Sequence, residues 1–387
     1  MTITNRRLKI LGFEGWDGGS HAQVRRSITA HSRHEWQWFT RPARAWKWRL
    51  RTGAVDLAAQ VVADDCSQMR PDLIFTTSMI STGDLRSLLP ERLRTVPVVL
   101  YMHENQAAYP FRHQDDVQGR RDHHYAITNM TSCLSADRVL WNSRWNRDSF
   151  LSEIRSLLDK SPDQTCSRSV KEIMDRSMIC WPPVERSSVS EKVLHNRPEA
   201  DNSGRSISGA QIASGDGCVR VVWPHRWEHD KGPDTLLRLA RYLRHRSPGR
   251  YRWIILGERF KTVPPAMDQF LREFDDDIDH AGWVESREAY WSWLGAGDWV
   301  LSTARHEFFG IAVIEAMLAG CLPWLPRRLS YPEIVPERAM RLSPFRQVPD
   351  VEEIRREIIS RLEATRPDRA VSLLDDAIES LASPNRP

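Results

Sequence analysis

The 387-residue chain lacks the features that mark several common protein classes. Its six cysteines, Cys66, Cys133, Cys166, Cys180, Cys218 and Cys321, are scattered, with no C-x-x-C pair. That spacing excludes a disulfide framework and a zinc ribbon, and reads as buried thiols in a reducing, cytoplasmic compartment. Long apolar runs are also missing. Val96–Met102 is one of the longest, far below the roughly 20 residues a membrane helix needs. After Arg6 and Arg7 the apolar stretch Leu8–Phe13 runs straight into Glu14, which is no secretory signal. Neither sign of charge is in excess: Lys+Arg 55 against Asp+Glu 51 leaves +4, so any nucleic-acid surface must be local. Lysine is scarce, only seven of the 55 basic residues, so each remaining lysine draws attention. His123 and His124 are adjacent and cannot chelate from one helix face, and there is no H-x3-H. No metal is expected.

What is present is an ordinary globular composition, 41% hydrophobic, long enough for two or three domains. Apolar runs at Leu8–Phe13, Asp72–Thr76, Pro97–Met102, Arg138–Asn142, Val219–Trp223, Tyr251–Leu256, Asp298–Ser302 and Cys321–Leu325 read as strands. Helical periods fall between them, at Gly53–Cys66, Ser143–Leu158, Pro233–Arg246, Ser286–Leu294 and Gly310–Ala319. Pro233 suits a first helical turn, where its missing N–H is not needed. This alternation predicts α/β architecture with parallel sheets. The stretch Ser187–Gly217 is rich in Ser, Asn, Gly and charge, and reads as a linker. The expected division is a first domain over 1–185, a linker over 186–217 and a second domain over 218–387. Each domain is a doubly wound, Rossmann-like parallel sheet, and the two face each other across a cleft.

Ligands of open parallel sheets bind beyond the carboxyl ends of the strands, and the unusual polar clusters of this chain fall there. In the second half, Arg226 and Lys231 bracket the loop into the Pro233 helix, where a guanidinium fork and an ammonium can converge on a diphosphate. Phe309, Gly310 and Ile311 open the next helix and offer backbone N–H groups to an anion. Glu315 lies further along a helix that is otherwise apolar. A buried carboxylate there needs partners, either the hydroxyls of a vicinal diol or an arginine of its own domain.

In the first half, Arg41, Arg44, Lys47, Arg49 and Arg51 interleave with Trp36, Trp38, Trp46 and Trp48, with no acidic residue between Trp36 and Val55. Cations for phosphates and aromatic faces for unstacked bases are the composition of a single-stranded RNA reader. The competing reading is a core of Trp with a solvated Arg rim. His103, Glu104, Asn105 and Gln106 follow a strand directly, and Asn142 ends another. Gly18, Gly19 and Ser20 form a turn that lets backbone approach a phosphate.

Together these residues carry a resemblance. The pair Arg226/Lys231 (R-x4-K) followed by Glu307/Glu315 (E-x7-E) resembles the donor site of the family 4 retaining glycosyltransferases, which have the GT-B fold. A narrower series is similar to the tRNA-queuosine mannosyltransferase family. It comprises Trp46–Arg49, His103–Gln106, Tyr109-Pro110, the nine residues Trp223–Lys231, His306–Gly310 and Tyr331–Ile334. Phe308 stands where the broad family has Gly, and the narrower family shares the Phe. The resemblance implies that Arg226 and Lys231 bind the donor diphosphate, Glu315 the ribose hydroxyls and Glu307 the transferred sugar. Gly257, Gly282 and Trp283 fall where the family's backbone meets the nucleobase. His103 is assigned to the acceptor hydroxyl or a donor phosphate, and Glu104, Asn105, Gln106 and Asn142 to the acceptor. The implied reaction moves mannose from GDP-mannose to the cyclopentene diol of queuosine in a tRNA anticodon, tRNA-Asp being the expected substrate. Anomeric configuration is retained, without a metal cofactor or a membrane. The alternatives are a GT-B enzyme with a lipid or small-molecule acceptor, and a non-catalytic RNA-binding protein with a relic donor site.

Overall fold

A computed structural model describes residues 6–64, 70–109, 123–161, 168–187, 207–208, 217–260 and 262–382. The chain divides into two compact units, Met1–Pro183 with Ala364–Pro387, and Val184–Glu363.

The first unit is built on six strands: β1 (Lys9–Asp17), β2 (Glu35–Pro42), β3 (Leu73–Thr77), β4 (Val98–Met102), β5 (Arg138–Trp141) and β6 (Ser177–Ile179). Their order is β2-β1-β3-β4-β5-β6, and every pairing is parallel. β3 and β4 are buried at every residue, which is why they read as unbroken apolar runs. β2 is an edge strand that the sequence does not announce. Its Trp36 and Trp38, two residues apart and so on one face, stack on each other at 5.0 Å and lie edge-on to Phe75 of β3. The apparent start of a basic aromatic run is thus sheet packing.

The second unit begins with β7 (Ile207–Ser208), then β8 (Val219–Pro224), β9 (Tyr251–Leu256), β10 (Ile278–Gly282), β11 (Trp299–Leu301), β12 (Leu322–Trp324) and β13 (Gln347–Val348). The main sheet runs β10-β9-β8-β11-β12, all parallel, and β7 pairs antiparallel with β13. Ile207–Ser208 therefore belongs to a strand pair rather than to a linker. Most of the remaining Ser187–Gly217 stretch lies outside the described residues, as do Pro110, Cys66 and Cys166.

Helix starts follow their local chemistry. The Ser143 and Ser286 hydroxyls accept from Asn146 N at 2.9 Å and Ala289 N at 3.1 Å, capping Arg144–Leu158 and Arg287–Ala296. Pro233 opens Pro233–Arg246 after Gly232 at φ 68. The helix expected from Gly53 instead starts at Trp46, behind Ala45 at φ 52 with no side-chain cap, and so gives no sequence signal.

One boundary differs from expectation. The last helix, Pro367–Ala382, belongs to the first unit and not to the second. Asp375 accepts from the Ser32 hydroxyl (2.7 Å) and Arg33 N (2.9 Å), at the C-terminal end of the Gly19–His31 helix. Arg33 also pairs with Asp376 and Glu379. Cys133, Cys180 and Cys321 are buried and free, and burial pushes the Cys180 thiol up to about 12. Among the described residues, no helix is long and apolar enough to cross a membrane.

Candidate active site

Each sheet has one point where its strand order reverses, between β1 and β3 in the first unit and between β8 and β11 in the second. Crevices open at such points beyond the strand ends.

In the second unit the β8 edge carries His225, Arg226, Asp230 and Lys231, and the β11 edge carries His306 and Glu307. Lys231 is buried. Its ammonium lies 3.2 Å from Asp230, 3.3 Å from Glu307 and 3.2 Å from the His306 carbonyl oxygen. Burial alone would lower its pKa, but Glu307 and Asp230 outweigh burial and raise it. Burial would likewise raise Glu307 and Asp230, and Lys231 brings both below the usual carboxylate range. The cluster is therefore fully ionised near neutrality. His225 and His306 are pushed down to about 4, by burial first and by Lys231 second, and stay neutral beside it. Arg226 is exposed on the same loop and pairs with Glu228 at 3.2 Å. Asp230, His225 and His306 complete a site that the R-x4-K spacing alone does not reveal, although all three lie inside the quoted motifs.

Glycine geometry shapes this edge. A Cβ at Gly257, whose φ is 130, would collide with the His225 carbonyl oxygen, so the β9 turn passes against the backbone of the Arg226 loop. Gly310, at φ 97, caps the helix Ile311–Leu318 and packs against Tyr331 and Glu307. Phe308 and Phe309 are buried, Phe308 edge-on to His306 at 4.2 Å. Gly282 has open space around it, and Trp283 beside it is 68% exposed.

Glu315 is buried on that helix with its carboxylate already engaged: Arg287 donates at 2.8 Å to one oxygen and Tyr290 at 3.0 Å to the other. The pairing with an arginine of its own domain is present.

In the first unit, Glu14 of β1 is wholly buried. Its Oε1 accepts from Trp16 N at 2.8 Å and the Thr77 hydroxyl at 2.9 Å. His21 Nδ1 lies 3.3 Å from both carboxylate oxygens, and His103 Nε2 lies 3.9 Å from Oε2. The two imidazoles stack at 4.0 Å. Burial, reinforced by His21, takes His103 well below its ordinary pKa. Gly18 caps the Gly19–His31 helix, with Gly19 and Ser20 exposed beside this cluster. Sequence reasoning uses Glu14 only as the charge that ends an apolar run.

The residues after His103 divide. Asn105 is buried and donates to Asn146, while its oxygen accepts from Ala108 N. Asn142 donates to the His103 carbonyl oxygen at 2.6 Å and accepts from Asn146. Both amides hold the turn that carries His103, through Asn146. Glu104 and Gln106 are half-buried and bonded to each other at 3.2 Å.

The aromatic and basic run also divides. Arg49 is buried, donating to the Pro42 carbonyl oxygen, and Arg41 pairs with Asp56 at 3.0 Å. Arg44, Lys47 and Trp48 are exposed, Trp48 by 70%. Trp46 packs on Tyr125 at 5.0 Å, with Lys47 and Arg51 over the Tyr125 ring. Tyr125, which no local sequence signal singles out, makes this a paired-ring platform with cations on it.

Residues 9–184 match the family model described as tRNA-queuosine alpha-mannosyltransferase N-terminal. The Drosophila melanogaster tRNA-queuosine alpha-mannosyltransferase is 33% identical over 335 residues, covering 85% of this chain and 82% of that protein. Solved structures share the fold at lower identity. The N-terminal domain of Candida albicans trehalose-6-phosphate phosphatase has a TM-score of 0.65 at 11% identity, covering 98% of each chain. A UDP-forming trehalose-phosphate synthase from Burkholderia xenovorans scores 0.59 at 10%, over 98% of this chain and 100% of that one. Anabaena HepE in complex with UDP scores 0.54 at 15%, over 97% and 95%. Both parallel-sheet units thus follow the GT-B glycosyltransferase pattern.

Proposed function

Because this chain belongs to the tRNA-queuosine alpha-mannosyltransferase family, we propose that it transfers mannose from GDP-mannose to the cyclopentene diol of queuosine in a tRNA anticodon, with retention of configuration. The observation that carries the reading is the buried Lys231, ionised between Asp230 and Glu307, with Arg226 extended beside it. Such a cluster supplies fixed positive charge for a departing diphosphate without a proton transfer.

The ammonium has three N–H bonds, and Asp230, Glu307 and the His306 carbonyl already meet it. Donor binding exchanges the 3.3 Å contact with Glu307. A phosphate oxygen takes the Lys231 N–H, and Glu307 turns to the hydroxyls of the sugar. The bond from the anomeric carbon to the phosphate oxygen breaks as the acceptor oxygen attacks from the same face, and the acceptor's proton passes to that phosphate oxygen. Glu315 takes the ribose hydroxyls alongside Arg287 and Tyr290. The Gly257 and Gly282-Trp283 turns meet the base. In the first unit, the Gly18–Ser20 turn and His103 serve the phosphate and acceptor. Trp46, Lys47, Trp48 and Arg44 hold the anticodon loop, tRNA-Asp being the expected one.

The test is to incubate the protein with queuosine-containing tRNA and separate pools of GDP-mannose, UDP-galactose and UDP-glucose, followed by nucleoside mass spectrometry. One hexose added to queuosine from GDP-mannose alone is the expected result. Addition from a UDP-sugar alone would reassign the donor, and no addition from any pool would overturn the acceptor.

A further inference from the structure

We propose that Glu14, His21 and His103 form a binding site for a divalent transition-metal ion of the zinc type. Each offers one donor atom, and the three atoms lie within 4.8 Å of one another. Glu14 is wholly buried, and among the described residues its ion-pairing partners are the two imidazoles, with no lysine or arginine. A buried carboxylate without a fixed cation is costly, and an ion bound to it removes that cost.

The distances favour an ion over a simple hydrogen bond. A charge-assisted N–H···O bond is about 2.7–2.9 Å long, yet His21 Nδ1 stands 3.3 Å from both Glu14 oxygens. A tetrahedral ion with arms of roughly 2.0–2.1 Å has donor-to-donor edges of about 3.3 Å. His103 Nε2, at 3.9 Å from Oε2, reaches the same edge by a shift of about half an ångström. The outer contacts fit as well. Trp16 N–H and the Thr77 hydroxyl occupy Oε1 and orient the carboxylate, leaving Oε2 toward the imidazoles. Two imidazoles and one carboxylate suit zinc and its first-row neighbours better than magnesium or calcium, which prefer all-oxygen sets. Three protein donors leave a coordination position open for water or a hydroxyl. Sequence spacing hides the site, because parallel strands bring its donors together from distant parts of the chain.

The site shares His103 with the transferase reading, but its test uses no substrate and so fails or succeeds apart from that reading. The full chain, stripped with chelator, is loaded with zinc, desalted and assayed for metal per chain by mass spectrometry. Wild type should retain one equivalent that Glu14→Gln and His21→Ala each lose, while the surface variant His245→Ala keeps it. In parallel, cobalt-loaded wild type should show the visible bands of a tetrahedral nitrogen and oxygen site without thiolate charge transfer. This spectrum alone decides the question if a variant fails to fold. No retained metal in wild type, full retention by both variants, or a thiolate-dominated cobalt spectrum would overturn the site.

Discussion

Both sheet edges bury a carboxylate at the point where strand order reverses, but they balance it differently. At the second edge, Glu307 and Asp230 share the ammonium of Lys231, so the charges are fixed at neutral pH. At the first, the ion-pairing partners of Glu14 among the described residues are imidazoles, whose charge depends on what binds them. A fixed cation suits a ligand whose negative charge is permanent, such as a diphosphate. An imidazole pair suits a ligand that is itself a cation or a neutral hydroxyl. One edge is a built counter-charge, and the other is a set of donors.

The largest effect should come from removing the fixed charge. Lys231→Ala strands the buried Asp230 and the half-buried Glu307, which costs about 3–5 kcal/mol of stability, and should reduce turnover by about 10²–10³-fold. Arg226→Ala, at an exposed side chain, should lose comparable turnover while moving the denaturant midpoint far less. Equal stability losses in the two variants would contradict the distinction between a buried anchor and an extended fork.

Gly257→Ala should come next. The collision with the His225 carbonyl and the positive φ together should cost about 3 kcal/mol in urea unfolding. Donor affinity should fall with it, and a neutral result would mean that the turn moves freely. The pH response should be of at least similar size. His225 and His306 are held near about 4, below their ordinary 6.5, so the unfolded chain binds protons that the folded chain does not. Their contribution is intact above pH 6.5, is lost as pH falls toward about 4, and should total on the order of a few kcal/mol. Melting temperature measured from pH 7.5 down to 4.5 checks the sign. Smallest is the surface of the first unit. Trp48→Ala should weaken binding of the tRNA by roughly tenfold with little change in melting temperature. Trp36→Ala should do the reverse, because its ring is packed on Trp38 and Phe75.

Where a feature was legible in sequence, its determinants were local. Tyr251–Leu256 and Pro233–Arg246 were readable to the residue, one as an unbroken apolar run and the other as a proline start with amphipathic spacing. Arg226, Lys231, Glu307 and Glu315 stood out because single loops and helix turns carry them. β2 was not legible, since its Trp36, Trp38 and Arg41 imitate a nucleic-acid surface while both Trp rings pack on the sheet. Nor was the start of the Trp46–Ala63 helix, which has no cap to mark it. Asn105 invited a ligand role because its bond partner, Asn146, sits on a helix that sequence alone does not place beside it.

Periodic hydrophobicity and capping residues were enough by themselves to determine two parallel α/β units. Those signals act within a few residues, through burial and backbone hydrogen bonding. Tertiary structure decided the rest: the return of Pro367–Ala382 to the first unit, the Tyr125–Trp46 platform, and the meeting of Glu14, His21 and His103. Each depends on side chains far apart along the chain, which only sheet order brings within a few ångströms.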